Sequence, residues 1–149
     1  MEFKKYSSLE NAYREKFTDA CRNLGIKDWV ATVKVHGANF GFICDEACEI
    51  TPFKRTSTIG KNPDTGAYDF YGCNDVVAKY APKVKELANI VGGPIQVYGE
   101  LYGQGVQKEI NYGEKDFIMF DILTNDGWLK WDDVVHLGDQ AGIPTTPEL

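Results

Sequence analysis

A chain of 149 residues, 43% hydrophobic and 26% charged, has apolar content for one core and is too short for two ordinary domains. Its formal charge of −6 is unevenly placed, with 10 basic and 11 acidic side chains in residues 1–75 against 6 and 11 in residues 76–149. This balance excludes a broad basic face for duplex nucleic acid, leaving only a local cluster to meet phosphates, and no 18-residue apolar run exists to span a membrane.

From the N-terminus, Ser7 and Glu10 have capping-box spacing, and Tyr13, Phe17, Ala20, Cys21 and Leu24 recur at helical intervals before Gly25. The pattern predicts a helix over 9–23. WVATVKV (29–35), NFGFICD (39–45) and CEITPFKR (48–55) read as adjacent strands, with Asp45-Glu46-Ala47 as a hairpin loop and Pro52 marking an edge or bulge. Residues 57–74, rich in Gly, Asn, Asp and Thr, read as a long surface loop. Val76, Tyr80, Val84, Leu87 and Val91 form one helical stripe, which Pro82 either ends at Ala81 or kinks. PIQVYGEL (94–101) and DFIMFDILT (116–124) are two strong strands, and Asn125-Asp126-Gly127 turns the second into WLKW (128–131). Asp132-Asp133 would cap a last helix ending near Gly138 or Gly142. Hairpin-linked strands without any Gly-rich strand-to-helix phosphate loop give an α+β class with mainly antiparallel sheet and flanking helices.

Cysteines 21, 44, 48 and 73 include no CxxC pair and have only two histidines for company, so free thiols are expected rather than a zinc site. Together with an N-terminus that lacks a signal-peptide run, they point to a reducing, cytoplasmic setting.

Several residues could carry chemistry. Lys34 stands near the end of an expected strand, followed by His36, Gly37 and Asn39. It reads either as an exposed strand lysine or as a nucleophile, and a lysine amine attacks phosphorus only when deprotonated. Gly37 would let the chain turn close to a phosphate. Lys54, Arg55 and Lys61 are a solubilising edge or a phosphate-binding fork. Glu100, set in VYGELYG, is costly to bury without a partner, which a lysine or a sugar hydroxyl would supply. Phe120 serves the core or a purine-stacking face. Trp29, Trp128 and Trp131 read as structural.

The blocks KVHGANF (34–40), FKRT (53–56), VYGELYG (97–103) and FIMFDI (117–122) resemble, in order and spacing, those of the covalent nucleotidyltransferases. The His in KxHG, the FKKYSSLEN opening and GVQKEINYGEKDF (105–117) narrow the resemblance to the ATP-dependent RNA ligases of phages that seal nicks in duplexes, with relatives in kinetoplastid RNA editing. An acidic residue in place of His36 would have suited DNA ligases or capping enzymes better. The resemblance implies an adenylation domain in which Lys34 attacks the α-phosphate of ATP and becomes lysyl-AMP, before AMP passes to the 5′-phosphate of a nick. It assigns Asn39 and Arg55 to the nucleotide or the 5′-phosphate, Glu100 to the ribose, Phe120 to adenine, and His36 to the later steps. Magnesium is the implied metal, and nicked duplex RNA or RNA/DNA the implied substrate.

Two later motifs of such ligases, a glutamate-bearing EGxVxK-like strand and a KxK strand, have no match after Ile122, where Lys130 is the only lysine or arginine. The expectation for residues 1–149 is therefore a partial nucleotidyltransferase domain without the last two motifs or a C-terminal domain. Losing one donor to a developing charge costs about 3 kcal/mol, so ligation by this chain alone is not expected. A complementing polypeptide, or a non-catalytic nucleotide- or partner-binding role, is the alternative.

Overall fold

The computed structural model describes residues 1–149. The chain runs α1 (Glu15–Asn23), β1 (Ala38–Cys44), β2 (Ile50–Lys54), α2 (Asn74–Val91), β3 (Ile95–Tyr102), β4 (Asp116–Thr124), β5 (Gly127–Trp128) and α3 (Trp131–Ala141). All five strands join one antiparallel sheet in the order β2-β1-β3-β4-β5, which makes the fold α+β with flanking helices.

Alternation along the strands sorts side chains onto two faces. Phe40, Phe42 and Cys44 of β1, Ile95, Val97 and Leu101 of β3, and Phe117, Met119 and Ile122 of β4 enter the main core. The α2 stripe Val76, Tyr80, Val84 and Leu87 covers them, joined by Val134 and Ala141 of α3. Helix α2 runs unbroken through Pro82, since burial of that stripe outweighs the one amide bond the ring denies to Ala78. Both α2 and α3 end on a left-handed glycine, Gly92 (φ 88°) and Gly142 (φ 71°). Asp132 and Asp133 lie in the first turn of α3 without capping it; Lys130 holds the N-cap position.

The opposite face carries a smaller cluster of Ile43, Phe53, Tyr98 and Leu123, against which Phe3, Tyr6 and Phe120 pack. An N-terminal strap lies across it. Gln96 clamps the strap, accepting the Lys4 N–H at 2.9 Å and donating to the Glu2 carbonyl at 2.6 Å, and the Tyr6 hydroxyl donates to Asp121 at 2.9 Å.

Three expectations need correction. The helix predicted over 9–23 begins only at Glu15, with Arg14 as an N-cap that makes no side-chain cap bond. Residues 7–10 lie outside any helix, so the Ser7–Glu10 spacing does not act as a capping box. WVATVKV forms no strand of the sheet: its only pairing is a bridge of Thr32 with Glu148, flanked by Val33 N–H to Pro147 O and Leu149 N–H to Ala31 O, both 2.9 Å. Val30 and Val33 stay 54% and 38% exposed, so the alternation that suggested a half-buried strand finds no core to enter. The stretch 128–131 contributes only Trp128 to β5 before α3 starts at Trp131. Pro52 does sit on the edge strand, as its missing N–H requires.

Gly99 stands beside a bulge where the β3–β4 register steps from Tyr98↔Asp121 to Gly99↔Met119, leaving Phe120 unpaired. A Cβ at Gly99 would lie 2.1 Å from the Ile118 carbonyl oxygen and 2.5 Å from the Phe117 ring. Gly99→Ala is expected to lower unfolding stability by about 1–3 kcal/mol in urea titrations, as overpacking does. Gly93→Ala, where a Cβ meets nothing within 4 Å, should leave it nearly unchanged.

Candidate nucleotide-binding cleft

Where the strap leaves the second sheet face uncovered, a cleft of about 980 Å³ opens. Lys34, Asn39, Arg55, Glu100 and Phe120 all line it, although they come from an extended segment, two strands, the end of a third and a bulge. Asn39 and Glu100 are directly opposed in the β1–β3 register and so project from the same face. Arg55 follows the last residue of β2, with Lys54 and Thr56 beside it on the cleft wall.

Phe120 follows Met119 on the face opposite the main core and is the unpaired residue of the bulge, so it lines the cleft without a partner across β3. Tyr6 meets its ring edge-on at a centroid distance of 5.1 Å, supporting it from the strap side. Burial holds the Tyr6 hydroxyl well above the usual tyrosine range, with the charge of Asp121 adding to the effect. Burial likewise raises Asp121 above the usual carboxylate range, against the pull of its bonds from Tyr6 and the Ile122 amide.

Glu100 is half-buried at the cleft floor. Its Oε1 accepts the Gly37 N–H at 3.2 Å. Desolvation pushes its pKa upward, while that amide and the positive charges of Lys34, His36 and Arg55 oppose the shift. One carboxylate thus faces three basic groups from two separate parts of the chain. Gly37 has a plainer role than sparing room for phosphate: a Cβ there would lie 2.1 Å from the Leu101 carbonyl oxygen and 3.1 Å from the Glu100 side chain. Only glycine lets this turn rest on β3.

His36 is not brought into the cleft with the others. Its imidazole points to the 103–114 loop, with Nε2 3.4 Å from Glu109, and its backbone N–H donates to the Tyr112 hydroxyl at 3.2 Å. Lys34 itself belongs to no strand and is exposed on the cleft wall.

The cleft also holds residues that sequence reasoning passed over: Tyr6, Ser7, Ser8 and Leu9 of the strap, Phe70 and Tyr71 of the long loop, and Trp131 with Thr146 near the C-terminal end. Tyr71 takes φ 45°, rare for a non-glycine residue, and meets Phe70 edge-on at 4.8 Å. Trp131 donates from Nε1 to Glu148 at 2.6 Å and so faces the cleft while serving structure. The signal for the strap was the apolar pair Phe3 and Tyr6, which fit no helix. No group of three or more His, Cys, Asp or Glu that could hold a metal ion exists in the chain. The four cysteines are free, and no helix is long and apolar enough to cross a membrane.

A carboxyl raised by burial stabilises the fold most below its unfolded pKa, and that contribution is lost as pH rises through the folded value. Glu100 has an ordinary pKa of 4.5 and a raised folded one. Glu100→Gln removes the desolvated charge yet keeps an oxygen for the Gly37 amide. It is expected to match or exceed the parent's stability at pH 7, and to lose that advantage as pH falls through the ordinary carboxylate range. Urea titrations at pH 7 and pH 4 read this directly; a variant less stable at pH 7 than at pH 4, relative to the parent, contradicts it.

The RNA ligase family model matches residues 27–149. Among solved structures, the fold is similar to that of an RNA ligase from Naegleria gruberi. An alanine-for-arginine mutant of it with ATP and Mn gives a TM-score of 0.63 at 20% identity, over 79% of this chain and 35% of that one. An alanine-for-lysine mutant with ATP and Mn gives 0.62 at 18%, over 79% and 34%, and an alanine-for-aspartate mutant without ligand gives 0.62 at 18%, again over 79% and 34%. The chain thus spans about a third of the length of these structures. With the family's sequence pattern running from residue 27 to residue 149, over the segment that carries Lys34 and the whole sheet, the chain belongs to the RNA ligase family.

Proposed function

We propose that this chain is the front part of the adenylation domain of an ATP-dependent RNA ligase, with Lys34 as the nucleophile. The observation that carries the reading is the convergence of Lys34, Asn39, Arg55, Glu100 and Phe120 on one cleft from four parts of the sequence. The Lys34 amine, as free base, attacks the α-phosphorus of ATP. A P–N bond forms, the bond to the bridging oxygen of pyrophosphate breaks, and the amine gives up a proton. AMP then passes from Lys34 to the 5′-phosphate of a nicked strand, and the adjacent 3′-hydroxyl displaces AMP to seal it.

Each cleft residue has a physical part in that scheme. Phe120, supported by Tyr6, offers a ring face to adenine. Glu100 accepts hydrogen bonds from ribose hydroxyls in exchange for the water it loses. Arg55, with Lys54 beside it, meets phosphate oxygens with a forked donor set. Asn39 contacts the nucleotide or the incoming 5′-phosphate. His36 points away from the cleft, which suits a role after the first step, when the nicked strand is engaged. The residues present build no cage for magnesium, so the ion would have to come in on the phosphates of ATP. Nicked duplex RNA or RNA/DNA is the proposed substrate, of the phage nick-sealing kind, and the free thiols suit a reducing cytoplasm.

The cleft contains only three lysine or arginine residues, Lys34, Lys54 and Arg55, and one of these is the nucleophile. Leu9, Trp29, Val30 and Val33 lie exposed by the cleft or on the segment leading to it. Both facts favour completion by further polypeptide bringing basic and apolar strands, either downstream sequence or a separate chain. The alternative is a non-catalytic domain that binds nucleotide or a partner.

Intact-mass measurement with ATP and magnesium tests this. One added AMP, lost in Lys34→Ala, is expected once the polypeptide carrying the basic strands is supplied, and at least about a hundredfold more slowly without it. ATP binding with no adduct under either condition would establish the non-catalytic reading instead.

A further inference from the structure

The segment from Val33 to Gly37 carries Lys34 yet belongs to no ladder of the sheet. Its backbone groups still need partners. The Val33 N–H finds one in the Pro147 carbonyl at 2.9 Å. Beyond Lys34, side chains do the holding. Glu100 accepts the Gly37 N–H at 3.2 Å, Gln107 donates to the Gly37 carbonyl at 3.1 Å, and the Tyr112 hydroxyl accepts the His36 N–H at 3.2 Å. Two of these three come from the 103–114 loop, and the contact of Glu109 with the His36 ring at 3.4 Å adds a fourth tie.

The loop is itself a built structure. Gln104 N–H donates to the Gly113 carbonyl at 2.9 Å and closes its neck, and Asn111 accepts the Gly113 N–H at 2.9 Å. Val106 is buried in the main core. The Tyr112 ring sits edge-on against Tyr102, the last residue of β3, at 5.6 Å. A rigid ring seated on the end of a central strand therefore delivers one hydroxyl to the amide two residues beyond Lys34.

We propose that the 103–114 loop is a latch that fixes the nucleophile segment against the sheet, with Tyr112 as a positioning residue acting through the His36 amide. The inference rests on the reading of Lys34 as nucleophile. A shift of about 1 Å in a reacting group can cost on the order of a hundredfold in rate, so a segment lacking strand pairing needs such a holder. His36 then has a structural reason to face away from the cleft: it is the part of the segment that the latch grips, by its backbone and by its ring.

Tyr112→Phe keeps the ring and deletes only the hydroxyl. Amide hydrogen exchange at His36 is expected to quicken about tenfold, as loss of one net hydrogen bond implies. The equivalent change at Tyr13, an exposed tyrosine whose hydroxyl accepts only from Asn11, should leave it alone. In the completed protein, AMP transfer to Lys34 should slow about tenfold while ATP affinity stays within about twofold, the split expected of a positioning group. Unchanged His36 exchange overturns the latch, and so does an unchanged transfer rate. Exchange requires no ATP: if the parent forms no adduct in any setting, the assignment of Lys34 fails, and His36 exchange still decides whether the loop holds the segment.

Discussion

The bond from the Gly37 amide to Glu100 is the joint on which the site depends. On one side stands a segment with a lysine and no strand pairing; on the other, the central strand of the sheet, paired on both sides. Glu100 can serve as the joint only because β3 is flanked by β1 and β4, which leaves its carboxylate nowhere to go but the open face. Burial makes that carboxylate costly, and the nearby charges of Lys34, His36 and Arg55 offset part of the cost. The same group is therefore an anchor, a counter-charge and a hydrogen-bond acceptor aimed into the cleft. Function and stability pull against each other at this one position, as they commonly do at sites built for ligands.

The two faces of the sheet divide the labour. One is closed by α2 and α3 over aromatic and aliphatic side chains, several of them fully buried, and gives the strands fixed positions. The other is only half closed by the strap, whose clamp at Gln96 and tie at Asp121 determine where the cleft begins. The bulge at Phe120 sits on the border between the covered and uncovered parts. Its displaced ring has Tyr6 on the strap side and the cleft on the other. Alternation from Phe117 and Met119 puts residue 120 on the open face, and the irregularity in register lets Asp121 share that face before Ile122 returns to the core.

The strands and helices with a strict period were legible in the sequence because burial on one face enforces the period: β1, β3, β4 and α2 emerged close to their expected bounds. Candidate residues named from short blocks also fell together, since blocks at strand ends converge once the strands pair. What was not legible had no periodic signal. The strap reads as polar sequence, and its capping-box spacing points to a helix that starts only at Glu15. WVATVKV alternates like a strand but has no sheet partner, because the neighbour of β1 on that side is β3. His36 looked like a cleft residue because it stands two places from Lys34, where an extended chain puts both side chains on one side; the unpaired segment turns it to Glu109 instead.

That alternation has a consequence for the chemistry. Lys34 and His36 lie two apart, so a regular strand would put both on one side; here Lys34 lines the cleft and His36 meets Glu109. The segment must therefore depart from strand geometry between them. The absence of a ladder allows the departure, and the turn at Gly37 completes it against β3, where a Cβ would collide with the Leu101 carbonyl. A paired strand would have fixed this backbone without help but would have forced Lys34 and His36 to share a side. Leaving it unpaired separates the two side chains, and the burden of positioning then passes to Glu100, Gln107 and Tyr112. A polar substitution among these three should disturb the geometry around Lys34 more than a larger change in the helix-covered core, which acts on the cleft only through the stability of the whole sheet.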